Sequence, residues 1–425
     1  MTSSNSAREC YVYITLPSET EFVTAGRFAL TTDRQGIPTG RFVYGRSYLG
    51  RENAVPIDPL ELKLSNTTYA TTILKGVFGA LRDASPDYWG RRVIEKYAGK
   101  SQLAEIDYLL DSPDDRAGSL GFGLNREPPA PRRNFNRTVN LERLQTLADA
   151  ILADEDLPEG PDVQRAQDLM LAGTSMGGAR PKAVVEDDVG LWIAKFNRPD
   201  DKWNHARVER AMLMLARDCD LQVPESKVMT IGDRDVLLVK RFDRQMTEKG
   251  YRRARMLSGL TLLRAEDTHQ DRNKWSYVLL VEELRRLSSQ PRRDAPELFR
   301  RMCFNALISN TDDHPRNHAV IAMDKDWKLS PAYDLMPSTP VSIERRDLAL
   351  ICGDMGRHAQ ADNLQSQSAR FLLEDDGAAK IVDEMERTVK DRWYEIARRE
   401  GVTVKDCEKI AGAFAYPGFR LAITG

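Results

Sequence analysis

Cysteine is scarce: Cys10, Cys219, Cys303, Cys352 and Cys407 are the only five in 425 residues, an odd number, scattered and without a C-x-x-C pair. That excludes a disulfide framework and a cysteine-type structural zinc site, and makes a reducing cytosol the expected compartment. A surplus of one charge is also missing. The 62 Lys and Arg against 64 Asp and Glu leave a formal net charge of −2, so no global field recruits nucleic acid or an anionic membrane. No run approaches the ~18 apolar residues of a membrane span, and the opening stretch MTSSNSARECYVYITLP lacks the basic-then-apolar pattern of a secretory signal. A cytoplasmic, enzyme-sized chain is expected, with two or three units at about 100–200 residues per domain. There is no internal repeat and no low-complexity tract.

What is present changes character along the chain. CYVYITL and TGRFVYGRSYL carry the aromatic and β-branched residues of strands. Ser85 and Pro86 predict a helix start, Trp89, Val93 and Tyr97 fall at helical spacing, and Gly99 supplies a stop. The module closes with DYLLDSPDDRAGSLGFG, and REPPAPRRNFNRT reads as a linker, which puts a boundary near residue 135. Leu141, Leu144, Leu147, Ile151 and Leu152 then form one helical face, with a second short helix expected toward Leu171. KAVVEDDVGLWIAKF predicts strand, turn at Asp187 to Gly190, and strand; a helix is predicted from about Asn204 to Asp218, and DVLLVKRFD as a further strand. From about residue 255 three segments, KWSYVLLVEELRRL, APELFRRMCFNALI and AAKIVDEMERTVKDRWYEIARR, show three-and-four spacing.

The densest polar segment, ISNTDDHPRNHAV at 308–320, directly follows an apolar helical pattern. Asp312 and Asn317 stand five residues apart, the spacing at which protein kinases hold the base that accepts a hydroxyl proton and the amide that binds magnesium. Asp334 follows Asp312 by 22 residues, after AVIAMDKDWKLS, which reads as a hairpin; its carboxylate oxygen is the hard donor magnesium prefers. Upstream, AGTSMGGARPK offers Gly173, Gly177 and Gly178 to bring backbone amides against phosphate. Lys195 lies in the strand LWIAKF, Glu209 follows it by 14 residues on the predicted helix, and LLVKRFD would join two lobes and touch adenine. Glycine loop, lysine, helix glutamate, connecting strand, catalytic loop and metal aspartate stand in kinase order, with ATP and Mg2+ as the implied cofactors.

The same residues carry a family resemblance. RFVYGRSYL, DASPDYWGRRVI, SMGGARPK, NTDDHPRNHA and LSPAYDLMPS make nearly the whole chain resemble the HipA-type toxin kinases, the last two motifs being specific to that family. The resemblance implies an α+β, bilobal protein-kinase-like fold with an added N-terminal β-rich subdomain and an all-helical C-terminal lobe. The expected division is 1–135 for the subdomain, 136–254 for the N-lobe and 255–425 for the C-lobe. It further implies ATP-dependent phosphorylation of serine or threonine in a target protein, an aminoacyl-tRNA synthetase in the better-known members. A HipB-like helix-turn-helix antitoxin is the implied partner, with DNA approached only through it. Carried over by motif, Asp312 is the base, Asn317 and Asp334 bind magnesium, and Lys195 binds ATP. Nucleotide contacts are also expected from Ser175, Met176, Gly177, Gly178, Ala179, Arg180 and Lys182, from Glu209, from Lys240, Arg241 and Phe242, and from His314. Ser175, three residues before the Gly178-Ala179 pair, matches the family's autophosphorylated serine, where a phosphate of roughly −2 charge would repel the ATP phosphates. The chain departs from the family at Arg180-Pro181, where Gln-x is usual and Pro181 removes a backbone donor, and at Lys240, where Glu is common.

Other readings attach to the same motifs. GTSMG matches the G-x-S-x-G elbow of serine hydrolases, but a Val-rich strand follows it instead of a helix. Asp312, Asp313, His314 and His318 could ligate a transition metal. DDHPRN is also similar to the loop of aminoglycoside and choline kinases, and an inactive partner of a DNA-binding repressor would conserve the fold alone. On the kinase reading His314 is expected to orient the loop by hydrogen bonding, and Asp313 to be solvated or to assist the metal.

Overall fold

A computed structural model describes residues 8–99, 103–114, 116–131, 135–155, 180–339 and 342–421. It adopts the α+β class expected from the sequence. The chain forms two compact units: Met1–Phe196 with Arg241–Leu257 and Ile321–Asp326, and Asn197–Lys240 with Ser258–Val320 and Trp327–Gly425.

The first unit begins with strands β1 (Arg8–Thr15), β2 (Phe22–Thr32), β3 (Pro38–Tyr44), β4 (Tyr69–Thr71) and β5 (Leu120–Gly123), in the antiparallel order β4-β3-β2-β1-β5. Val12, Ile14, Phe28 and Phe42 are fully buried, so this sheet has a true core face. Two backbones meet behind it: a Cβ on Gly40 would lie 1.7 Å from the Gly76 carbonyl oxygen, and Gly76 itself has φ +78°. Only glycine fits at both. Helix α1 (Tyr88–Ala98) starts two residues later than Ser85-Pro86 suggests, because Asp87 is the cap, its carboxylate accepting the Gly90 amide at 2.7 Å. The stop falls as expected at Gly99, φ +60°. Helix α2 (Glu105–Asp111) leads into β5, which returns to pair with β1 and closes the module.

Helix α3 (Leu141–Leu152) buries Leu141, Leu144, Leu147 and Ile151, the face read from the sequence. The short helix expected toward Leu171 lies outside the described residues. The two-residue strand β6 (Asn136–Arg137) runs parallel to β7 (Lys182–Asp187), and β7 pairs antiparallel with β8 (Gly190–Phe196). The turn between them is the predicted one: the Asp187 carboxylate accepts the Val189 amide at 3.0 Å, and Gly190 takes φ +135°.

A buried charge cluster ties distant parts of this unit together. The Asp243 carboxylate, 1% exposed, accepts from the Arg241 guanidinium at 2.9 Å, from that of Arg244 at 2.7 Å and from the Gly118 amide at 3.0 Å. Both arginines also donate to the Arg116 carbonyl. Burial alone would raise the Asp243 pKa, but the two guanidinium groups outweigh it and hold the carboxyl well below its usual range.

In the second unit, helix α4 (His205–Asp218) starts at its Asn204 cap, whose side chain accepts the Arg207 amide at 3.2 Å, and buries Val208, Ala211, Met212 and Leu215. Strands β9 (Ser226–Ile231) and β10 (Arg234–Lys240) follow as an antiparallel hairpin. Helices α5 (Tyr277–Leu287), α6 (Pro291–Leu307) and α7 (Asp375–Arg399) fall where the three-and-four spacing places them. Leu298, Phe299, Met302, Phe304 and Leu307 of α6 are completely buried, which makes it the central helix of this unit.

Replacing Asp243 by Ala leaves two guanidinium groups buried without their counter-charge and should cost about 3–5 kcal/mol. The expected outcome is a lower urea midpoint for the variant at neutral pH, with the gap narrowing as acid protonates Asp243 in the parent; equal midpoints at pH 7 would refute it.

Candidate functional site

The central helix α6 delivers the chain to the polar loop. After Leu307 the backbone turns through Ser309 at φ +54°, and the Asn310 amide returns to the Asn305 carbonyl at 2.8 Å. Pro315–Asn317 form one 3-10 turn, closed by the Asn317 amide on the His314 carbonyl at 2.9 Å. The chain then leaves as the expected hairpin, strands Ala319–Ala322 and Lys328–Leu329, with the Ser330 amide on the Ala319 carbonyl at 2.9 Å.

The segment holding Asp334 is pinned beside this loop. The Ala332 amide donates to the Gln222 carbonyl at 2.7 Å, the Tyr333 hydroxyl to the Arg316 carbonyl at 2.7 Å, and the Ser338 amide to the Ser309 carbonyl at 3.1 Å. Asp334 sits at φ +61°, a left-handed conformation that few residues other than glycine adopt, though Asp and Asn tolerate it. Such a conformation persists only where surrounding contacts fix it.

Asp312, Asn317 and Asp334 are therefore brought into one neighbourhood. The Asp312 side chain is exposed and accepts no hydrogen bond from the described residues. Partial desolvation raises its pKa; the nearby His314 pulls it down, while the charges of Asp334, Asp313 and Asp267 push it up, and the net shift is upward. Asn317 is 7% exposed, and its side-chain amide likewise makes no hydrogen bond to the described residues. The Asn317 amide oxygen and the Asp334 carboxylate are hard oxygen donors of the kind magnesium takes one or two of, filling the rest of its shell with phosphate oxygens and water, so the residue types fit that ion.

Two expectations for the loop change. Asp313 is not solvated: it is 1% exposed, and its Oδ2 accepts from the Tyr277 hydroxyl and from His318 Nε2, the latter at 3.0 Å. A buried carboxylate needs donors from within, and one oxygen of this one has two. His314 does not orient the loop through its ring, since its Nδ1 is buried with no hydrogen-bond partner among the described residues; its backbone carbonyl holds Asn317 instead. Nor do the four residues of the transition-metal reading gather as ligands, for no three His, Cys, Asp or Glu side chains among the described residues could hold a metal ion.

The other expected nucleotide contacts are distributed as follows. Lys195 is half-buried on β8 in the first unit, and Glu209 is 6% exposed on α4 in the second. Lys182 stands directly opposite Lys195 in the β7–β8 register, which places two ammonium groups on one face. The Asp87 carboxylate lies 2.8 Å from the Lys182 ammonium, with both side chains almost fully buried, and so neutralises one of them. Arg241 directs its guanidinium to Asp243, Lys240 pairs with Glu225 at 3.1 Å, and Phe242 is half-buried. Arg180 is half-buried at the start of β7, while Ser175, Met176, Gly177, Gly178 and Ala179 lie outside the described residues. Sequence reasoning missed the Tyr277–Asp313–His318 contacts and the Lys182–Asp87 pair. Neither has a local signal, as their partners are 36 and 95 residues away.

Comparison with known proteins identifies the family. Residues 174–393, just over half of the chain, match the family model of the HipA-like C-terminal domain. The chain belongs to that family. It is 27% identical over 326 residues to a Sinorhizobium fredii protein named "Putative kinase Y4mE", covering 72% of this chain and 73% of that one. A second protein of that organism, "Putative kinase Y4dM", is 27% identical over 244 residues, 53% of this chain and 56% of the other. In fold the chain is similar to HipA of Shewanella oneidensis MR-1, solved with HipB and operator DNA: TM-score 0.68 at 16% identity, over 95% of this chain and 94% of that one. No described helix is long and apolar enough to cross a membrane.

Asp312 carries its raised pKa as a cost to the fold above that pKa, and protonation relieves the cost as pH falls. Asp312→Asn should therefore raise the melting temperature at pH 7 in metal-free buffer, with the gain shrinking toward pH 4. A variant that melts below the parent at pH 7 would show that Asp312 is stabilised by contacts rather than crowded by like charge.

Proposed function

We propose that the protein is an ATP-dependent phosphotransferase whose acceptor is a serine or threonine hydroxyl of another protein. The observation that carries the reading is the loop itself: Asp312, exposed, crowded by the charges of Asp334, Asp313 and Asp267 and without a hydrogen bond from the described residues, five residues before Asn317, with Asp334 held in a left-handed conformation. Membership of the HipA-like family supports it, as does the kinase naming of both Sinorhizobium relatives.

When bound, ATP with magnesium supplies the phosphoryl group and neutralises its developing charge. Asn317 and Asp334 would hold the metal through their side-chain oxygens. Asp312 would orient the acceptor hydroxyl and take its proton as that oxygen bonds the γ-phosphorus and the bond to the departing ADP breaks. By motif, Lys195 is the ammonium proposed for the ATP phosphates. A HipB-like antitoxin is the proposed partner, by analogy with the Shewanella complex, and Ser175 the proposed site of self-phosphorylation.

Transfer of labelled γ-phosphate from Mg-ATP to protein tests this directly. Asp312→Asn should lose about a hundredfold or more of the rate, the usual contribution of a general base, and mass spectrometry of the parent should find phosphate on Ser175. Undiminished transfer by Asp312→Asn removes the base; ATP turnover that follows added amino alcohols or aminoglycosides instead of protein moves the acceptor to small molecules.

A further inference from the structure

Asp313, Tyr277 and His318 belong to a buried hydrogen-bonded chain that the transfer chemistry does not itself use. The Asn305 side chain on α6 donates to the Tyr277 hydroxyl at 3.1 Å, and Tyr277 donates to Asp313 Oδ2. The same carboxylate oxygen accepts from His318 Nε2 at 3.0 Å, and because a carboxylate only accepts, the Nε2 proton resides on His318. The Tyr277 and His318 rings meet edge to face at 5.2 Å, which fixes both about the carboxylate. On the other side, Asn310 Nδ2 donates to Asn305 Oδ1 at 3.0 Å and, as the longest link, to the backbone carbonyl of Asp334 at 3.4 Å. Tyr277, Asn305, Asn310, Asp313 and His318 are all 2% exposed or less.

The placement of the two ends gives this chain its meaning. Asp313 directly follows Asp312, and His318 directly follows Asn317, so one hydrogen bond ties together the residues adjoining the base and the amide. Asn310 then carries the same chain to the backbone that presents Asp334. An apolar trio of similar volume would fill the space but would leave the turn free to change the separation of the three oxygens.

We infer that Asp313 is a positioning residue that, clamped between Tyr277 and His318, sets the spacing of Asp312 and Asn317 and, through Asn305 and Asn310, their relation to Asp334. The inference rests on the phosphotransferase reading of the site. Burial, and then the charge of Asp313, pushes the Tyr277 hydroxyl well above its ordinary pKa, so it remains a donor at every working pH.

The test uses the full chain with Tyr277→Phe, which removes one oxygen and keeps the ring, and with Asp313→Asn and Asp313→Ala. Binding of the non-hydrolysable analogue AMP-PNP is measured calorimetrically with and without magnesium, beside kcat, KM for ATP and melting temperature. Support of the metal shell by outlying hydrogen bonds is worth ~10–100-fold, and Tyr277→Phe should lose that much in kcat and in magnesium-dependent AMP-PNP affinity. Metal-free AMP-PNP binding should stay within twofold of the parent, and Asp313→Asn, which keeps an acceptor oxygen, should recover part of what Asp313→Ala loses. Parent-like kcat and magnesium-dependent affinity in both Tyr277→Phe and Asp313→Asn overturns the inference, as does a parallel fall in metal-free binding and melting temperature, which marks a merely structural role. The parent and Asp312→Asn separate the two failures. An active parent with an inactive Asp312→Asn and an unaffected Tyr277→Phe removes the positioning role alone, whereas a parent that transfers no phosphate removes the phosphotransferase reading and this inference with it.

Discussion

Asp312 and Asp313 are neighbouring acids, and the polar loop is folded around the requirement that they be satisfied in opposite ways. Two ionised carboxylates directed into one environment raise each other's pKa, and a buried one without donors is unstable. The chain resolves this by turning Asp313 inward onto Tyr277 and His318 and leaving Asp312 exposed with no hydrogen bond from the described residues. The left-handed turn at Ser309, the 3-10 turn at Pro315–Asn317 and the inward-facing His318 are consequences of that division. Because the inward carboxylate is hydrogen-bonded within the protein, the outward one is what remains for a ligand.

The backbone around the site was legible in the sequence where the signal is local. The Asn204 cap, the apolar face of α4, the Asp187-to-Gly190 turn and the hairpin after the loop are each set by residues within a few positions of one another. The start of α1 was displaced by two residues because Ser85 and Asp87 are both good caps. Asp87 prevails because its second carboxylate oxygen also answers the buried Lys182 ammonium, an advantage arising 95 residues away. The same limit hid the role of Asp313: spacing identified it as one of several acids, and nothing near it in sequence announces Tyr277. The five-residue interval from Asp312 to Asn317 was readable for the opposite reason, since a metal and a hydroxyl must be reached from one short loop, and the chemistry itself fixes the count.

Lys182 and Lys195 show how register decides between residues that composition treats as equal. Both are lysines on adjacent strands, and pairing sets them face to face, where two unshielded ammonium groups would repel. Asp87 removes the conflict for Lys182, but it is simultaneously the cap of α1, so separating the pair would expose a buried charge on each side and uncap the helix. Lys182 is thereby fixed as a tie between β7 and α1, and of the two lysines it is Lys195 whose side chain is only half-buried. The Asp243 cluster works in the same manner, holding Arg241 and Arg244 against the Arg116 carbonyl. In both places a cationic side chain expected to contact nucleotide is engaged by a carboxylate whose loss would cost the fold several kcal/mol, about 3–5 for a buried pair. The backbone, rather than the guanidinium, is then the part of Arg241 on which an adenine contact in the connecting strand would have to rely, and its amide is already donated to the Leu191 carbonyl at 2.9 Å.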